Sequence, residues 1–172
     1  MKSLKRKLIK IVEKISLVSI DKSSLPLLEK LFQLYLHDIS YYLTFELNSN
    51  GEFEAYSLSE WLDNKDNFGY FIYYEDKVCG FVMVDKEFKV LKNENALNLS
   101  EIFVLNSYKG KGIATSVLNS LFNEFKTEWE VRPVYKSKAA EEFWAKFFAG
   151  FSQKSELVEW KENRFAYIFK TE

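Results

Sequence analysis

The sequence predicts a mixed α/β (α+β) fold in which one central, twisted and largely antiparallel sheet is flanked by helices. Three observations support this prediction: short runs typical of strands, amphipathic segments at helical spacing, and the order in which the two alternate. The predicted order is β, α, α, three strands, α, β, α, β, β. We therefore expect about six or seven strands and about four helices in one domain.

The first half of the chain alternates between strand and helix patterns. Residues 15–20 alternate apolar and polar side chains and predict the first strand. A long amphipathic helix follows, with Pro26 suited to its first turn, and a short helix begins at Ser57 after an irregular region. Residues 69–74 and 78–84 are β-rich runs separated by a polar turn, so we expect an antiparallel hairpin.

The second half of the chain predicts a strand, turn, helix and strand, then a further helix and two closing strands. Residues 97–105 alternate first and become continuously apolar at their end, as in a central strand. Helical spacing of apolar residues begins after Gly112, and residues 129–132 predict the next strand. Residues 137–148 form another amphipathic pattern, which Gly150 ends. The last two strands are expected near residues 157–160 and 165–169.

Charge and composition exclude several classes of function. The chain has 24 Lys and Arg against 25 Asp and Glu, so no global field favours a polyanion, and we predict no nucleic-acid partner. Cys79 is the only cysteine, which excludes an intramolecular disulfide and a cysteine-based zinc cluster. His37 is the only histidine and ends the long helical pattern. We therefore interpret His37 as structural and predict no metal site.

The first fourteen residues are basic, and we treat residues 1–14 as an extension of a single domain that spans residues 1–172. Lys10, Glu13 and Lys14 interrupt the apolar stretch there, so no signal peptide is predicted. No segment is long enough to cross a bilayer, and we predict a cytoplasmic protein without membrane insertion. An amphipathic helix on an anionic membrane surface stays open beside a frayed or packed extension. Its apolar face would consist of Leu4, Leu8, Ile11 and Val12.

A glycine-rich turn, residues 108–114, follows the predicted central strand. Gly110 and Gly112 precede a helix whose first amides have no partner within the helix, so the turn can bind an anion. Lys109 and Lys111 add local positive charge, and a diphosphate fits this arrangement. The turn matches neither the dinucleotide fingerprint, which needs a third glycine, nor the P-loop. A turn that only connects strand to helix stays the alternative.

Residues 97–118 resemble motif A of the GNAT (GCN5-related) acetyltransferases, in which a strand leads into Gln/Arg-x-x-Gly-x-Gly/Ala. Both glycines match, and Ser107 stands where Gln or Arg is expected. Residues 137–144 resemble the later Asn-x-x-Ala-x-x-Phe-Tyr signature of that family, with Ser137 for Asn and Trp144 for Tyr. The segments that together resemble a poorly characterised bacterial subgroup of predicted acetyltransferases are residues 33–40, 70–72, 79–81, 101–105 and 142–144.

This resemblance implies a GNAT-like fold with acetyl-CoA as co-substrate and without a metal. Pantetheine would run along the end of the central strand, and the pyrophosphate would lie on the turn. Because Ser107 stands where the family has Gln or Arg, one side-chain contact with phosphate is missing, although backbone amides of the turn remain. The implied cofactor-binding residues are Phe103, Val104, Leu105, Lys109, Gly110, Lys111, Gly112, Ile113, Ala114, Ser137, Ala140, Phe143 and Trp144.

Direct transfer to an amine needs a base, a donor for the oxyanion and a proton for the leaving thiolate. Glu101 is the candidate base, since members of the family often keep a carboxylate in this region, and a solvated or ion-paired glutamate is the alternative. An amide of Val104 or Leu105 could hold the oxyanion. Trp144 replaces the family's tyrosine, and an indole N–H is not acidic enough to donate. Tyr135, just before the same helix, is the candidate acid, with a core or rim position as its alternative.

The predicted function is acetyl-CoA-dependent N-acetylation of a primary amine on a small molecule, a peptide or a protein. The alternative is a catalytically weak acyl-CoA-binding or sensor protein, suggested by the departures from the family motifs. A homodimer is compatible with the sequence, which does not set the oligomeric state. The acceptor is expected to meet an aromatic and acidic region that suits a cationic amine. The alternative is that these aromatic residues belong to the core and the acidic residues lie on a solvated loop. The residues of this region are Tyr35, Asp38, Tyr41, Tyr42, Phe45, Glu46, Glu52, Glu54 and Trp61.

Overall fold

The computed structural model describes residues 8–12 and 14–172, and the strands within them form one sheet. The strands are β1 (Leu8–Val12), β2 (Ile15–Ser19), β3 (Phe68–Tyr74), β4 (Lys77–Asp85), β5 (Leu97–Val104), β6 (Glu128–Val131), β7 (Ser155–Lys161) and β8 (Arg164–Lys170). Their order across the sheet is β1-β2-β3-β4-β5-β6-β8-β7. Neighbouring strands are antiparallel except β5 and β6, which run parallel.

Four α-helices of the described chain accompany the sheet. They are α1 (Leu25–Ile39), α2 (Leu58–Asp63), α3 (Ile113–Glu124) and α4 (Lys138–Ala149). Pro26 lies in the first turn of α1, and the Ser57 hydroxyl caps α2 by accepting from the Glu60 amide at 3.2 Å. None of the helices in residues 8–12 and 14–172 is both long and apolar enough to cross a bilayer. The mixed fold predicted from the sequence, with a largely antiparallel sheet and flanking helices, is confirmed.

Strand β1 is the main difference from the predicted order, because it lies inside the segment treated as a basic extension. It pairs antiparallel with β2, with Leu8 opposite Val18 and Ile9 opposite Leu17. The amphipathic helix considered for this segment is therefore wrong for residues 8–12, and Leu4 lies outside the described residues. β1 is an edge strand, where lysines are favoured because they discourage further pairing. Its interrupted apolar pattern consequently did not indicate a strand.

Two apolar clusters form the core, one on each face of the sheet. Strand β4 shows the division, since alternate side chains belong to different clusters. Val82 and Val84 belong to the cluster with α3 and α4, whereas Phe81 and Met83 belong to the cluster with α1 and α2. All four side chains are fully buried. A strand covered on both faces reads as a continuous apolar run, as the sequence of β4 does.

Strands β5 and β6 pair over a short distance and then separate. The parallel pairing runs from Leu97 opposite Trp129 to Leu99 opposite Val131. β5 continues beyond this point to Val104, whereas β6 ends at Val131. The gap opens at the carboxyl ends of two parallel strands, which is where ligands bind in open α/β sheets. This separation positions the candidate functional site.

Strand β5 is held on its other side by β4, where Gly80 permits an unusually close approach. A Cβ atom on Gly80 would lie 2.0 Å from the carbonyl oxygen of Phe103. The Leu105 amide donates to the Cys79 carbonyl at 2.8 Å and so continues the contact past the end of β5. β5 therefore stays attached to β4 while it separates from β6.

Gly80→Ala should lower the free energy of unfolding by about 1–3 kcal/mol, because the new methyl group would push the main chain of β5 away from β4. Gly150→Ala is the matched control. A Cβ atom there would lie 3.8 Å from its nearest neighbour, and the φ of Gly150 is −98°, which suits any residue. The control should stay within about 0.5 kcal/mol of the wild type in urea unfolding. Equal effects of the two substitutions would contradict the close-approach explanation.

Candidate functional site

A cleft of about 1070 Å³ opens where β5 and β6 separate. Its walls come from the end of α1, β5, the turn before α3, and α4. Leu105, Lys111 and Tyr135 are the predicted site residues that do not line it. Those that line it are Glu101, Phe103, Val104, Lys109, Gly110, Gly112, Ile113, Ala114, Ser137, Ala140, Phe143 and Trp144.

The turn before α3 has a backbone geometry that suits an anion. Gly110 and Gly112 have φ angles of +78° and +72°, in the left-handed region that favours glycine. The first hydrogen bond of the helix runs from the Ser116 amide to the Gly112 carbonyl at 3.0 Å. The amides of residues 113–115 precede this bond and lie at the positive end of α3, so they can donate to phosphate oxygens.

The two lysines of the turn lie in different surroundings. The Lys109 ammonium is 3.1 Å from an oxygen of Asp38 at the end of α1, and both residues line the cleft. Lys111 lies over the rings of Tyr74 and Tyr108, with its nitrogen 5.3 and 5.0 Å from the ring centroids. Lys111 therefore packs on the side of the turn away from the main cleft, and Lys109 is the turn lysine that the cleft contains.

Helix α4 contributes an aromatic wall. The Ser137 hydroxyl caps α4 by accepting from the Ala140 amide at 3.2 Å. Trp144 is 5 % exposed and stacks on Phe148 with 5.8 Å between the ring centroids. Phe143 meets Trp144 edge-on at 5.1 Å. This end of the cleft is consequently a packed apolar surface.

A β-bulge in β5 determines the direction of the Glu101 side chain. Met83 and Val84 are successive residues of β4, and they lie opposite Glu101 and Leu99, so one residue of β5 is extra. Leu99 belongs to the cluster with α3 and α4, and strict alternation would put Glu101 on that same face. Because of the bulge, Glu101 instead faces α1, where the Tyr35 hydroxyl donates a hydrogen bond to its Oε2.

The pKa of the Glu101 carboxyl is raised to about 7. Burial is the largest cause. The Tyr35 hydrogen bond lowers the pKa, the nearby Asp85 carboxylate raises it, and the charge of Arg132 lowers it. Asp85 is buried and accepts a hydrogen bond from Asn98 Nδ2 at 2.6 Å. A carboxyl group with a pKa near 7 can accept and release protons at neutral pH.

Glu130 on β6 is a fully buried carboxylate, and its environment has the opposite effect on the pKa. Its oxygens accept from the amides of Lys89, Val90 and Leu91 at 2.8, 2.9 and 3.0 Å and from the Arg132 guanidinium. Burial by itself would raise the pKa of Glu130, but these hydrogen bonds outweigh burial and the pKa is lowered. Glu130 thus holds the loop after β4 and stays ionised.

Several cleft residues were not identified from the sequence. Arg132 follows β6, lines the cleft, and donates to the Glu87 carbonyl at 2.8 Å. Its position at the end of a predicted strand was the available signal. Ser107 was singled out from the family motif, but it lies in a separate small pocket beside Lys111. Other lining residues that the sequence did not indicate include Ser100, Asn106, Thr115, Asn119 and Val134.

Tyr135, the candidate acid, does not line the cleft. Its ring faces the Arg164 guanidinium at 4.5 Å, and the Lys136 ammonium lies 5.3 Å from the same ring. Lys136 has a φ of +64°, so the chain turns sharply between Tyr135 and the start of α4. The structure therefore does not bring Tyr135 together with Glu101.

Part of the predicted acceptor region lies at the cleft. Tyr35, Asp38, Tyr41 and Tyr42 line it, and Tyr41 is 87 % exposed. The remaining members do not line it. The apolar ones, Phe45 and Trp61, pack into the cluster with α1 and α2, and the exposed acids are Glu46, Glu52 and Glu54.

The single histidine, His37, is exposed, and the single cysteine, Cys79, is buried. The His37 ring lies 6.3 Å from the ring of Phe53, and Cys79 is buried in β4. Within residues 8–12 and 14–172, no group of three or more His, Cys, Asp or Glu side chains could hold a metal ion.

Comparison with known proteins gives a family match and a set of structural matches. The family model described as the acetyltransferase (GNAT) family matches residues 28–151. No curated protein sequence matches the chain.

Several solved structures share the fold at low sequence identity. An acetyltransferase from Thermus thermophilus is 12 % identical, covers 94 % of this chain and 99 % of its own, and has a TM-score of 0.66. The Salmonella typhimurium enzyme that modifies the N-terminal serine of ribosomal protein L7/L12 is 14 % identical, with coverages of 95 % and 97 % and a TM-score of 0.62. Spermidine N-acetyltransferase from Vibrio cholerae, in complex with CoA and spermine, is 13 % identical, with coverages of 92 % and 97 % and a TM-score of 0.60.

Glu101→Gln should stabilise the protein more at about pH 8 than at about pH 4.5. The folded pKa of Glu101, about 7, lies above its unfolded value of 4.5, so the wild type loses stability as the pH rises through this window. Glutamine does not ionise and so does not lose stability in this way. The free energy of unfolding of Glu101→Gln, relative to the wild type, should therefore rise by about 2–4 kcal/mol between the two pH values. Urea unfolding at both pH values measures the difference.

Glu130→Gln is the matched control with the opposite sign. Because the pKa of Glu130 is lowered, its ionised form stabilises the fold above the unfolded pKa, and this contribution is lost as the pH falls. Glu130→Gln should therefore cost more stability at the higher pH. A gain for Glu101→Gln that does not change with pH would contradict the raised pKa.

Proposed function

The chain belongs to the GNAT family of acetyltransferases, and we propose that it uses acetyl-CoA to acetylate a primary amine by direct attack of the amine on the thioester. The observation that carries the proposal is the cleft between β5 and β6. One wall of the cleft is a turn whose backbone geometry suits an anion, and another holds Glu101, a carboxyl whose pKa is about 7. These are the two groups that binding and deprotonation require.

The cofactor is proposed to lie along β5 with its pyrophosphate on the turn. Beyond Leu99, β5 pairs with β4 but no longer with β6, so its backbone groups on the β6 side are free for the pantetheine amides. The amides of residues 113–115 and the Lys109 ammonium would hold the pyrophosphate. Phe143 and Trp144 would cover the pantetheine arm from the side of α4.

The Val104 amide is the better candidate for the oxyanion. The Leu105 amide is already engaged with the Cys79 carbonyl at 2.8 Å. Backbone groups of a strand alternate in direction, so the Val104 amide points to the opposite side of β5, toward the cleft. A backbone donor fixed in this way needs no reorganisation when negative charge develops on the carbonyl oxygen.

Glu101 is proposed to act as the base. It takes a proton from the attacking amine, the new C–N bond forms, and the C–S bond breaks to release the CoA thiolate. A thiol has a pKa of about 8.5, so the thiolate can take its proton from water or from the protonated Glu101 carboxyl. Tyr135 does not line the cleft, and this route does not depend on it.

The acceptor is proposed to be a cationic amine that enters past the end of α1. Asp38, Tyr41 and Tyr42 line this entrance, and their charge and aromatic faces attract an ammonium group. The ribosomal-protein and spermidine enzymes with this fold acetylate amines of such classes. The acceptor of this chain is therefore sought among small polyamines and peptide amino termini.

A weakly catalytic acyl-CoA sensor is the second candidate. The observation that favours it is the position usually occupied by the family's tyrosine, where the buried Trp144 offers no proton donor of useful acidity. A sensor of this kind would bind acetyl-CoA without turnover.

Acetyl-CoA should raise the melting temperature of the wild type, because a ligand that binds only the folded state stabilises it by mass action. Lys109→Ala should weaken binding by about 5- to 20-fold through loss of a charge-assisted contact. Lys111→Ala is the matched control and should change the Kd by less than about twofold, because Lys111 packs on the tyrosine rings outside the main cleft. Isothermal titration calorimetry measures the Kd of the wild type and of both variants. Absence of binding by the wild type would contradict both candidate functions.

Thiol release with a panel of amines should show kcat/KM rising with pH through about 7, the pKa of Glu101. Glu101→Gln should remove this acid limb and lower kcat by about 10²- to 10⁴-fold. The Kd for acetyl-CoA should stay within about twofold, since Glu101 is assigned no contact with the cofactor phosphates. Binding without turnover, with or without the substitution, would favour the sensor.

A further inference from the structure

We propose that Tyr35 is a positioning residue, whose hydroxyl orients the Glu101 carboxylate in the cleft and favours its ionised, proton-accepting form. The proposal rests on the acetyltransferase function proposed above. It concerns a contact between α1 and β5 that joins residues 66 positions apart in the chain.

The Tyr35 ring is held rigidly. Tyr35 is 7 % exposed, and its ring centroid lies 5.5 Å from Phe32, 5.9 Å from Phe81 and 6.0 Å from Phe103. Aromatic rings packed on several sides cannot move away without opening the core. The hydroxyl is therefore kept in contact with Glu101 Oε2. A group fixed by packing in this way can fix its hydrogen-bond partner.

The charged groups near Glu101 on the neighbouring elements have opposite effects on its ionisation. Asp85 from β4 disfavours ionisation of Glu101, and Arg132 after β6 favours it. The Arg132 guanidinium is already engaged with Glu130 and with the Glu87 carbonyl. Tyr56, before α2, is coupled electrostatically to both Glu101 and Asp85. In the described part of the chain, Tyr35 is the residue that donates a hydrogen bond to the Glu101 side chain.

The contact affects the protonation of Glu101 as well as its direction. A hydrogen bond to a carboxylate favours the charged form, whereas burial favours the neutral form. Without Tyr35, burial and Asp85 would keep Glu101 protonated over more of the neutral range, and a protonated carboxyl cannot accept a proton from the amine. Burial and the charge of Glu101 hold the pKa of the Tyr35 phenol well above its usual range, so the phenol stays a donor.

The test is the pH dependence of kcat/KM for Tyr35→Phe. This substitution keeps the ring and removes the hydroxyl. The acid limb should move to higher pH by about one unit, while the activity at about pH 9, where Glu101 is ionised in both proteins, should stay within about threefold of the wild type. The KM for acetyl-CoA should not change. Circular dichroism and the melting temperature report whether the variant is folded.

Tyr73→Phe is the matched control. Tyr73 is a partly buried tyrosine of β3 that packs against the same apolar cluster, and its loss of a hydroxyl should leave the acid limb in place. A uniform fall in activity for Tyr35→Phe at every pH, without movement of the limb, would assign Tyr35 a structural role and overturn the proposal. Loss of the alkaline limb would assign it a direct role as an acid and would also overturn the proposal.

Replacing Tyr35 by 3-fluorotyrosine gives a second variant that keeps the hydroxyl and avoids the folding problem that Tyr35→Phe could raise. The more acidic phenol donates a stronger hydrogen bond, so the acid limb should move to lower pH. No movement, or movement to higher pH, would contradict the proposed contact.

A carboxyl-carbon NMR titration separates this proposal from the proposed function, because it needs no turnover. The Glu101 signal is assigned by its loss in Glu101→Gln. Its pKa should be about 7 in the wild type and higher in Tyr35→Phe. An unchanged pKa would overturn the positioning role of Tyr35 even if the enzyme is active. A raised pKa in a protein that acetylates no amine would support the positioning contact and contradict the transferase function alone.

Discussion

The separation of β5 from β6 is the constraint on which the rest of the site depends. The two strands share parallel pairing only as far as Leu99 and Val131, and the helices that follow them both contribute to the lining of the cleft. β5 can lose this partner because β4 holds its other edge, with Gly80 against the main chain of Phe103. A free strand edge usually invites pairing with another chain. Here the edge lies inside a cleft, where a ligand with amide groups can satisfy it.

Two glutamates on neighbouring strands show how the surroundings assign different functions to one residue type. Glu130 is surrounded by backbone amides and Arg132, its pKa is lowered, and it stays charged to hold a loop. Glu101 is partly buried, with one tyrosine hydroxyl as hydrogen-bond donor in the described chain, and its pKa is raised to about 7. A carboxyl that ionises near neutral pH is expensive to bury and useful as a base. Stability and the proposed catalysis therefore make opposite demands on Glu101.

The same cleft contains an ion pair that joins the two proposed substrate regions. Lys109 belongs to the turn proposed to bind the pyrophosphate and Asp38 to the proposed entrance for the amine, and they neutralise each other at 3.1 Å. Both groups are partly exposed, so the pair itself contributes little to stability. A pyrophosphate on the turn would compete with Asp38 for Lys109 and leave the carboxylate free for an ammonium group. The local charge that the turn offers thus depends on α1, far away in sequence.

The sequence by itself determined the mixed fold, the order of most elements and the turn with its two glycines, because these follow from local periodicity and from backbone angles that glycine favours. It missed β1, whose single lysine, Lys10, suits an edge strand, and it could not show that Lys111 and Tyr135 lie away from the main cleft. The tertiary structure alone decided that Glu101 meets Tyr35. That contact requires a bulge in β5 to reverse the direction of one side chain and the packing of α1 to bring the hydroxyl to it. Side-chain direction after a bulge and contacts between distant segments depend on packing, which the local pattern of residues does not encode.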